Sequence, residues 1–250
     1  MKLAIAGKGG AGKTTIAGTL ARQLARDGYE VLALDNDLNP NLSLTVGIPA
    51  ASLDDVSTLS PDVVHIVDGR YELTQTLDEI REAHAMTAPD GVTLLVAAEP
   101  KTANTGCLGH MHMAMRNVVA AAPDGPDYIC ILDTEASTEH LKVGTAQHVD
   151  ALFAVVEPYF KSLESGRRIL ALARDLGIDR TALLANKVRD GEIEKVQRFA
   201  EQHGLELAGA VPYDECFFHA ERAAAAPIDF APDSEAVVAI GDLARSLLRG

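Results

Sequence analysis

The stretch from Ala6 to Thr15 reads "AGKGGAGKTT" and carries the most recognisable chemistry in the chain. Gly7, Gly12, Lys13 and Thr14 fit the phosphate-loop pattern G-x-x-x-x-G-K-[ST] at every required position. Glycines at 7, 9, 10 and 12 let the backbone curl until successive N–H groups point inward, so Gly7, Gly9, Gly10, Ala11 and Gly12 form a cradle for a polyphosphate. A helix opening near Lys13 adds the positive end of its dipole. Lys13 reaches the β- and γ-phosphates, the Thr14 hydroxyl ligates a bridging magnesium ion, and Thr15 follows in the same first turn. Lys8 is the anomaly, a second cation in a short loop whose pattern requires one.

Such a loop needs a strand before it and a helix after it. "KLAIA" supplies the strand; "TTIAGTLARQLARDG" places Ile16, Leu20 and Leu24 at helical spacing, with Gly28 as the stop. Further apolar runs, "VLALD", "VTLLVAA", "YICILD", "ALFAVVEP", "TALLANK" and "LAGAVP", recur with helical segments between them. They predict an α/β protein of the P-loop NTPase fold, a mostly parallel sheet covered by helices on both faces, as one domain over residues 1–250. "SLESGRRILALARDLG" and "EIEKVQRFAEQHG" read as covering helices. The region from Pro49 to Pro89 is less regular and reads, through the amphipathic "YELTQTLDEIREAHAM", as helical cover beside the nucleotide.

A formal net charge of −14, from 36 acidic and 22 basic residues with no basic run, argues against nucleic acid or an anionic membrane as partner. Three irregularly spaced cysteines make no disulfide framework, no apolar run is long enough to span a bilayer, and the N-terminus enters a strand directly, so a cytoplasmic protein is expected.

"KGGAGKTT" resembles the deviant phosphate loop of the MinD/ParA and nitrogenase iron protein class of ATPases. That resemblance implies an ATP-dependent homodimer in which Lys8 reaches across to the phosphates held by the other subunit. A second ammonium is tolerable when two nucleotides are sandwiched face to face, because it neutralises phosphate charge in trans as an arginine finger does; the other reading of Lys8 is a solvated side chain at the loop rim. The second strand ends in "LDNDLNPNL"; the resemblance gives Asp37 the role of orienting the attacking water and puts Asp35 near magnesium. This segment is similar to the "D-x-D-P-N-x-N-L" of the CooC-like nickel-insertion ATPases that serve carbon monoxide dehydrogenase, with Leu38 in place of their proline and Pro40 later. Asp133 closes "YICIL" where a Walker B acid holds magnesium through water. "DTEASTEHL" then resembles "D-x-E-A-G-x-E-H-L" of the same ATPases, with Ser137 for their glycine, which implies a second switch containing Glu135, Glu139 and His140. Without the resemblance, Glu139 and His140 read as solvated residues at a helix start. The class also implies that Asn186 meets adenine and that Pro212, Tyr213 and Asp214 line the base pocket. ATP is favoured over GTP because "NKVR" puts Arg189 where the guanine pattern N-K-x-D has an acid.

"GCLGHMHMAMR" departs from the nickel ATPases, whose C-x-C becomes Cys107 and Gly109. Cys107, His110 and His112 across a dimer are one candidate seat for nickel or zinc. The alternative is ordinary helix, since Met111, Met115 and Val118 fall at core spacing. An electron carrier of the nitrogenase type needs two cysteines per subunit around a cluster; His140 stands at the second position, and Cys130 and Cys216 are not obvious replacements. The leading expectation is a magnesium-dependent ATPase that dimerises around ATP and matures a client metalloenzyme. A ParA- or MinD-like positioning switch is the alternative.

Overall fold

The computed structural model describes residues 1–37, 39–97 and 108–247. An eight-stranded sheet organises the chain, in the order β10-β9-β8-β1-β7-β2-β6-β5. Its strands are β1 (Lys2–Gly7), β2 (Glu30–Asn36), β5 (Met86–Thr87), β6 (Thr93–Val96), β7 (Tyr128–Thr134), β8 (Ala151–Val156), β9 (Arg180–Val188) and β10 (Glu206–Pro212). All pairings are parallel except β5 with β6 at one edge. β1, β7 and β8 are buried at every residue, which is why their sequences are apolar without alternation.

Two apolar layers flank the sheet. On one face α1 (Lys13–Arg26) and α10 (Glu235–Leu247) bury Ile16, Leu20 and Leu24 with Ile240 and Leu243. The other face is covered by α4 (Leu108–Ala121), α6 (Phe160–Asp175) and α7 (Ile193–His203), and Met115 and Val118 are fully buried there, as their spacing predicts. Short helices complete the chain: α2 (Leu42–Thr45), α3 (Leu77–His84), α5 (Glu139–Lys142), α8 (Cys216–Arg222) and α9 (Pro227–Phe230). Among the described residues no helix is long and apolar enough to cross a membrane.

The region from Pro49 to Pro89 corrects the sequence reading. It opens into an antiparallel hairpin, β3 (Val64–Val67) with β4 (Arg70–Leu73), before the helix begins at Leu77. "VHIV-DG-RYEL" carries the signal, since Asp68-Gly69 is a two-residue turn and both residues have positive φ, 49° and 76°. Thr76 then starts α3 with a full capping box to Glu79. The hairpin packs on α4, where the Tyr71 ring meets the edge of His110.

The nucleotide-side helix is anchored at its far end by a buried cation. Arg22, with its side chain 2% exposed, donates to Asp90 (2.7 Å), to both oxygens of Asp229 (2.8 and 2.9 Å) and to the Val46 carbonyl (2.9 Å). Helix α1, the turn after α2, the turn before β6 and α9 thus meet on one guanidinium. Removing it leaves both carboxylates to the more exposed Arg26 alone and opens a cavity. Arg22→Ala is expected to cost about 3 kcal/mol in urea denaturation, and Arg26→Ala, which removes a more exposed member of the same cluster, less than about 1 kcal/mol.

Candidate functional site

The carboxyl ends of β1, β2, β7, β8 and β9 converge on the Gly7–Lys13 loop, the place where a parallel sheet presents a ligand. Gly7 has φ +153° and Gly12 +94°, and neither has room for a side chain: a Cβ on Gly7 would press the Val155 carbonyl at 2.6 Å, and one on Gly12 would collide with the Asn186 amide. The loop is held from behind by β9. Asn186 Nδ2 donates to the Ala11 carbonyl (2.7 Å), and Lys187, in a left-handed conformation, donates to the Gly10 carbonyl (2.5 Å) while pairing with Glu157 (3.4 Å). Lys13, Thr14 and Thr15 open α1, and Lys13 is buried.

Register sets the acids. β2 and β7 pair so that Asp35 lies directly beside Asp133, both fully buried. Burial, with Asp37 nearby, pushes the Asp35 carboxyl up to about 6, against the pull of the Leu42 and Asp37 N–H groups that it accepts (2.8 and 3.2 Å). Burial first, and then the Asp35 charge, pushes Asp133 well above the carboxylate range. Lys13 and Thr14 act in the opposite direction, yet neither Asp133 oxygen closes a hydrogen bond. Two adjacent buried carboxyls, one with both oxygens unpartnered, fit a divalent cation, and Thr14 stands beside them to share it. Asp37 is half-buried; its Oδ1 accepts the Asn39 N–H (3.0 Å).

The segment after β7 lies against this loop. A Cβ on Gly9 would touch that of Ala136 at 3.5 Å, and Thr134 donates to the Ile5 carbonyl (3.0 Å). Ser137 bonds Glu135 and accepts from the Glu139 N–H (3.1 Å), and Glu139 pairs with Lys142 (2.6 Å). His140 is fully buried, which corrects the reading of a solvated helix-start residue. Neither of its ring nitrogens closes a hydrogen bond, although the Ser137 backbone comes near. Burial, then His112, then Lys13, drive its pKa down to about 3.

Within one subunit, the two histidines of the candidate nickel or zinc seat do not come together. His112 is buried and its Nδ1 accepts from Asn36 Nδ2 (3.2 Å), whereas His110, two residues away on the same helix, faces Tyr71. Residues so spaced on a helix point to different sides. Cys107 lies outside the described residues, and among those described no group of three or more His, Cys, Asp or Glu is placed to hold a metal. At the other end of the site, Tyr213 N–H donates to the Val188 carbonyl (2.9 Å) just past Pro212, and the Arg189 guanidinium stacks 3.6 Å over the Tyr213 ring. Asp214 accepts the Cys216 N–H (2.8 Å) and starts α8.

A strand–loop–helix phosphate cradle with a buried lysine, beside two strand-end acids, defines a P-loop nucleoside triphosphatase. More closely, the chain belongs to the CobQ/CobB/MinD/ParA nucleotide binding domain family, whose profile matches residues 2–236. It is 33% identical over 242 residues to the carbon monoxide dehydrogenase accessory protein CooC of Rhodospirillum rubrum, covering 93% of this chain and 91% of that protein. It is also 34% identical over 226 residues to an uncharacterized ATP-binding protein of Methanocaldococcus jannaschii, with 86% of each covered. The fold matches the septum site-determining protein MinD of Pyrococcus horikoshii, solved with Mg-ADP, at a TM-score of 0.72 and 20% identity over 98% of this chain and 95% of that one. The protein is a P-loop ATPase.

The buried imidazole makes the fold acid-sensitive. Because the folded pKa of His140 is depressed from 6.5 to about 3, its contribution is fully present above pH ~6.5 and is lost as pH falls from there toward 3. Asp35 has the opposite sign, since protonation below about 6 relieves its burial. The wild type should therefore lose up to about 1.4 kcal/mol per pH unit more than His140→Leu across pH 6 to 4. Urea titrations of both proteins at several pH values measure the difference, and parallel slopes would rule out the neutral buried imidazole.

Proposed function

We propose that this ATPase works as a homodimer closed around ATP and serves the maturation of a client metalloenzyme. The relation to CooC along nearly the full length of both chains carries the maturation reading, and it includes the string "DTEASTEHL". Support for the dimer comes from the loop's edge. Lys8 is exposed beside Tyr159, and Phe160 next to it is 73% exposed, an unusual place for an aromatic ring unless another surface covers it.

The reaction is attack of water on the γ-phosphorus of ATP, with ADP as leaving group. The loop N–H groups and Lys13 hold the phosphates and neutralise the charge that develops on them. Asp35, Asp133 and Thr14 would hold magnesium, which would supply positive charge against the phosphates. Asp37 keeps Oδ2 for the attacking water while Oδ1 is tied to the Asn39 N–H, so the carboxylate is oriented before substrate arrives. Lys8 from the second copy supplies the remaining positive charge in trans. The unpartnered Asn186 Oδ1 is an acceptor suited to the adenine amino group, with Tyr213 and Arg189 as the wall of the base pocket.

A positioning role on DNA or membrane has less support. The C-terminal helix α10 is docked on α1 and β10 with Ile240 and Leu243 buried, and the net charge is −14.

Two measurements test the reading. Magnesium-dependent phosphate release should fall by about 100-fold or more in Asp37→Ala with ATP binding retained. Apo carbon monoxide dehydrogenase supplied with nickel and this protein should activate faster with ATP than with ADP. Equal activation with the two nucleotides would refute the maturation role for that client while leaving the ATPase assignment intact.

A further inference from the structure

We infer that Tyr159 is a positioning residue for Lys8: its ring holds the lysine on its own subunit in the monomer, and releases it as a second copy brings a nucleotide within reach. The inference rests on the dimer reading given above. Lys8 Nζ lies 5.6 Å from the centroid of the Tyr159 ring, within cation–π range. For all the acidity of the surface, Lys8 forms no ion pair among the described residues.

The ring is fixed rather than free. Its N–H closes a tight turn to the Glu157 carbonyl (2.7 Å), and its carbonyl accepts from Ser162 (3.0 Å) and Leu163 (3.1 Å) as α6 begins. Its hydroxyl donates to Glu157 Oε1 (3.3 Å). Glu157 Oε2 in turn pairs with Lys187 (3.4 Å), and Lys187 donates to the Gly10 carbonyl (2.5 Å). A chain of contacts therefore leaves the phosphate loop at Gly10, passes through Lys187, Glu157 and Tyr159, and returns to the same loop at Lys8. A shift of the Gly10 carbonyl when phosphates seat is thereby transmitted to the surface on which Lys8 rests.

Magnitude makes the arrangement work as a resting place rather than a trap. One exposed cation–π contact shifts an equilibrium about two- to fivefold, far less than an ammonium gains against a triphosphate in a water-poor interface. A symmetric dimer breaks two such contacts, so they raise the nucleotide concentration needed for association without preventing it.

The dimer fraction of wild type, Tyr159→Phe, Tyr159→Leu and Lys8→Ala should be measured by sedimentation velocity across a titration of a non-hydrolysable ATP analogue with magnesium. Tyr159→Leu removes the π face and should dimerise at about two- to fivefold lower analogue concentration, since two contacts are lost per dimer and two nucleotides enter it. Tyr159→Phe keeps the face but loses the hydroxyl tie to Glu157, and its midpoint should fall between wild type and Tyr159→Leu. Lys8→Ala should stay monomeric. A Tyr159→Leu curve that overlays a dimerising wild type, or lies at higher concentration, overturns the role of Tyr159; so does a Phe variant that behaves like Leu. A wild type that stays monomeric at saturating analogue instead overturns the dimer reading beneath it. Thermal melts of the free variants confirm that each is folded.

Discussion

Two carboxyls forced side by side in a dry place, next to a buried ammonium, constrain everything else at this site. Parallel pairing of β2 with β7 puts Asp35 opposite Asp133, and burial leaves Asp133 with no hydrogen-bond partner of its own. Such a pair is costly in isolation and becomes favourable with a divalent cation and phosphate oxygens between it and Lys13. The surrounding sheet, buried on both faces, supplies the rigidity that keeps the acids side by side.

The phosphate loop is rigid for a related reason. Gly7 and Gly12 accept backbone conformations and close approaches that exclude a side chain, and β9 fastens the loop from outside through Asn186 and Lys187. At the far end of α1 the Arg22 cluster fixes the helix whose N-terminus faces the phosphates. Between these anchors lies the segment after β7, touching the loop at Gly9 and carrying a buried histidine with unpartnered nitrogens.

Much of this was legible in the chain. Seven apolar runs became strands, the phosphate loop sits between β1 and α1, and Asp35, Asp37 and Asp133 come at strand ends because motif spacing and strand periodicity are local signals. What was missed depends on tertiary context or on a short signal. The β3–β4 hairpin hung on Asp68-Gly69 alone, and the two-residue β5 is too short to announce itself. His140 looks solvated in a polar string, and only the packing of α5 beneath the loop shows that it is buried. His110 and His112 invite a metal reading by sequence proximity, whereas helical geometry sends them to Tyr71 and Asn36. Asn186 as a brace of the loop joins residues far apart in sequence, and no local pattern encodes that contact.

The proposed exchange of Lys8 between subunits has one direct test, activity from a mixture of two inactive proteins. Lys8→Ala lacks the lysine offered to the neighbour, and Asp37→Ala lacks the acid that orients water. If the lysine acts across the interface, each mixed dimer contains one complete site, on the Lys8→Ala subunit, and an equimolar mixture regains activity, up to about a quarter of the wild-type rate. If the lysine serves its own subunit's nucleotide, no site in any dimer is complete, and a mixture as inactive as its separate components contradicts the account.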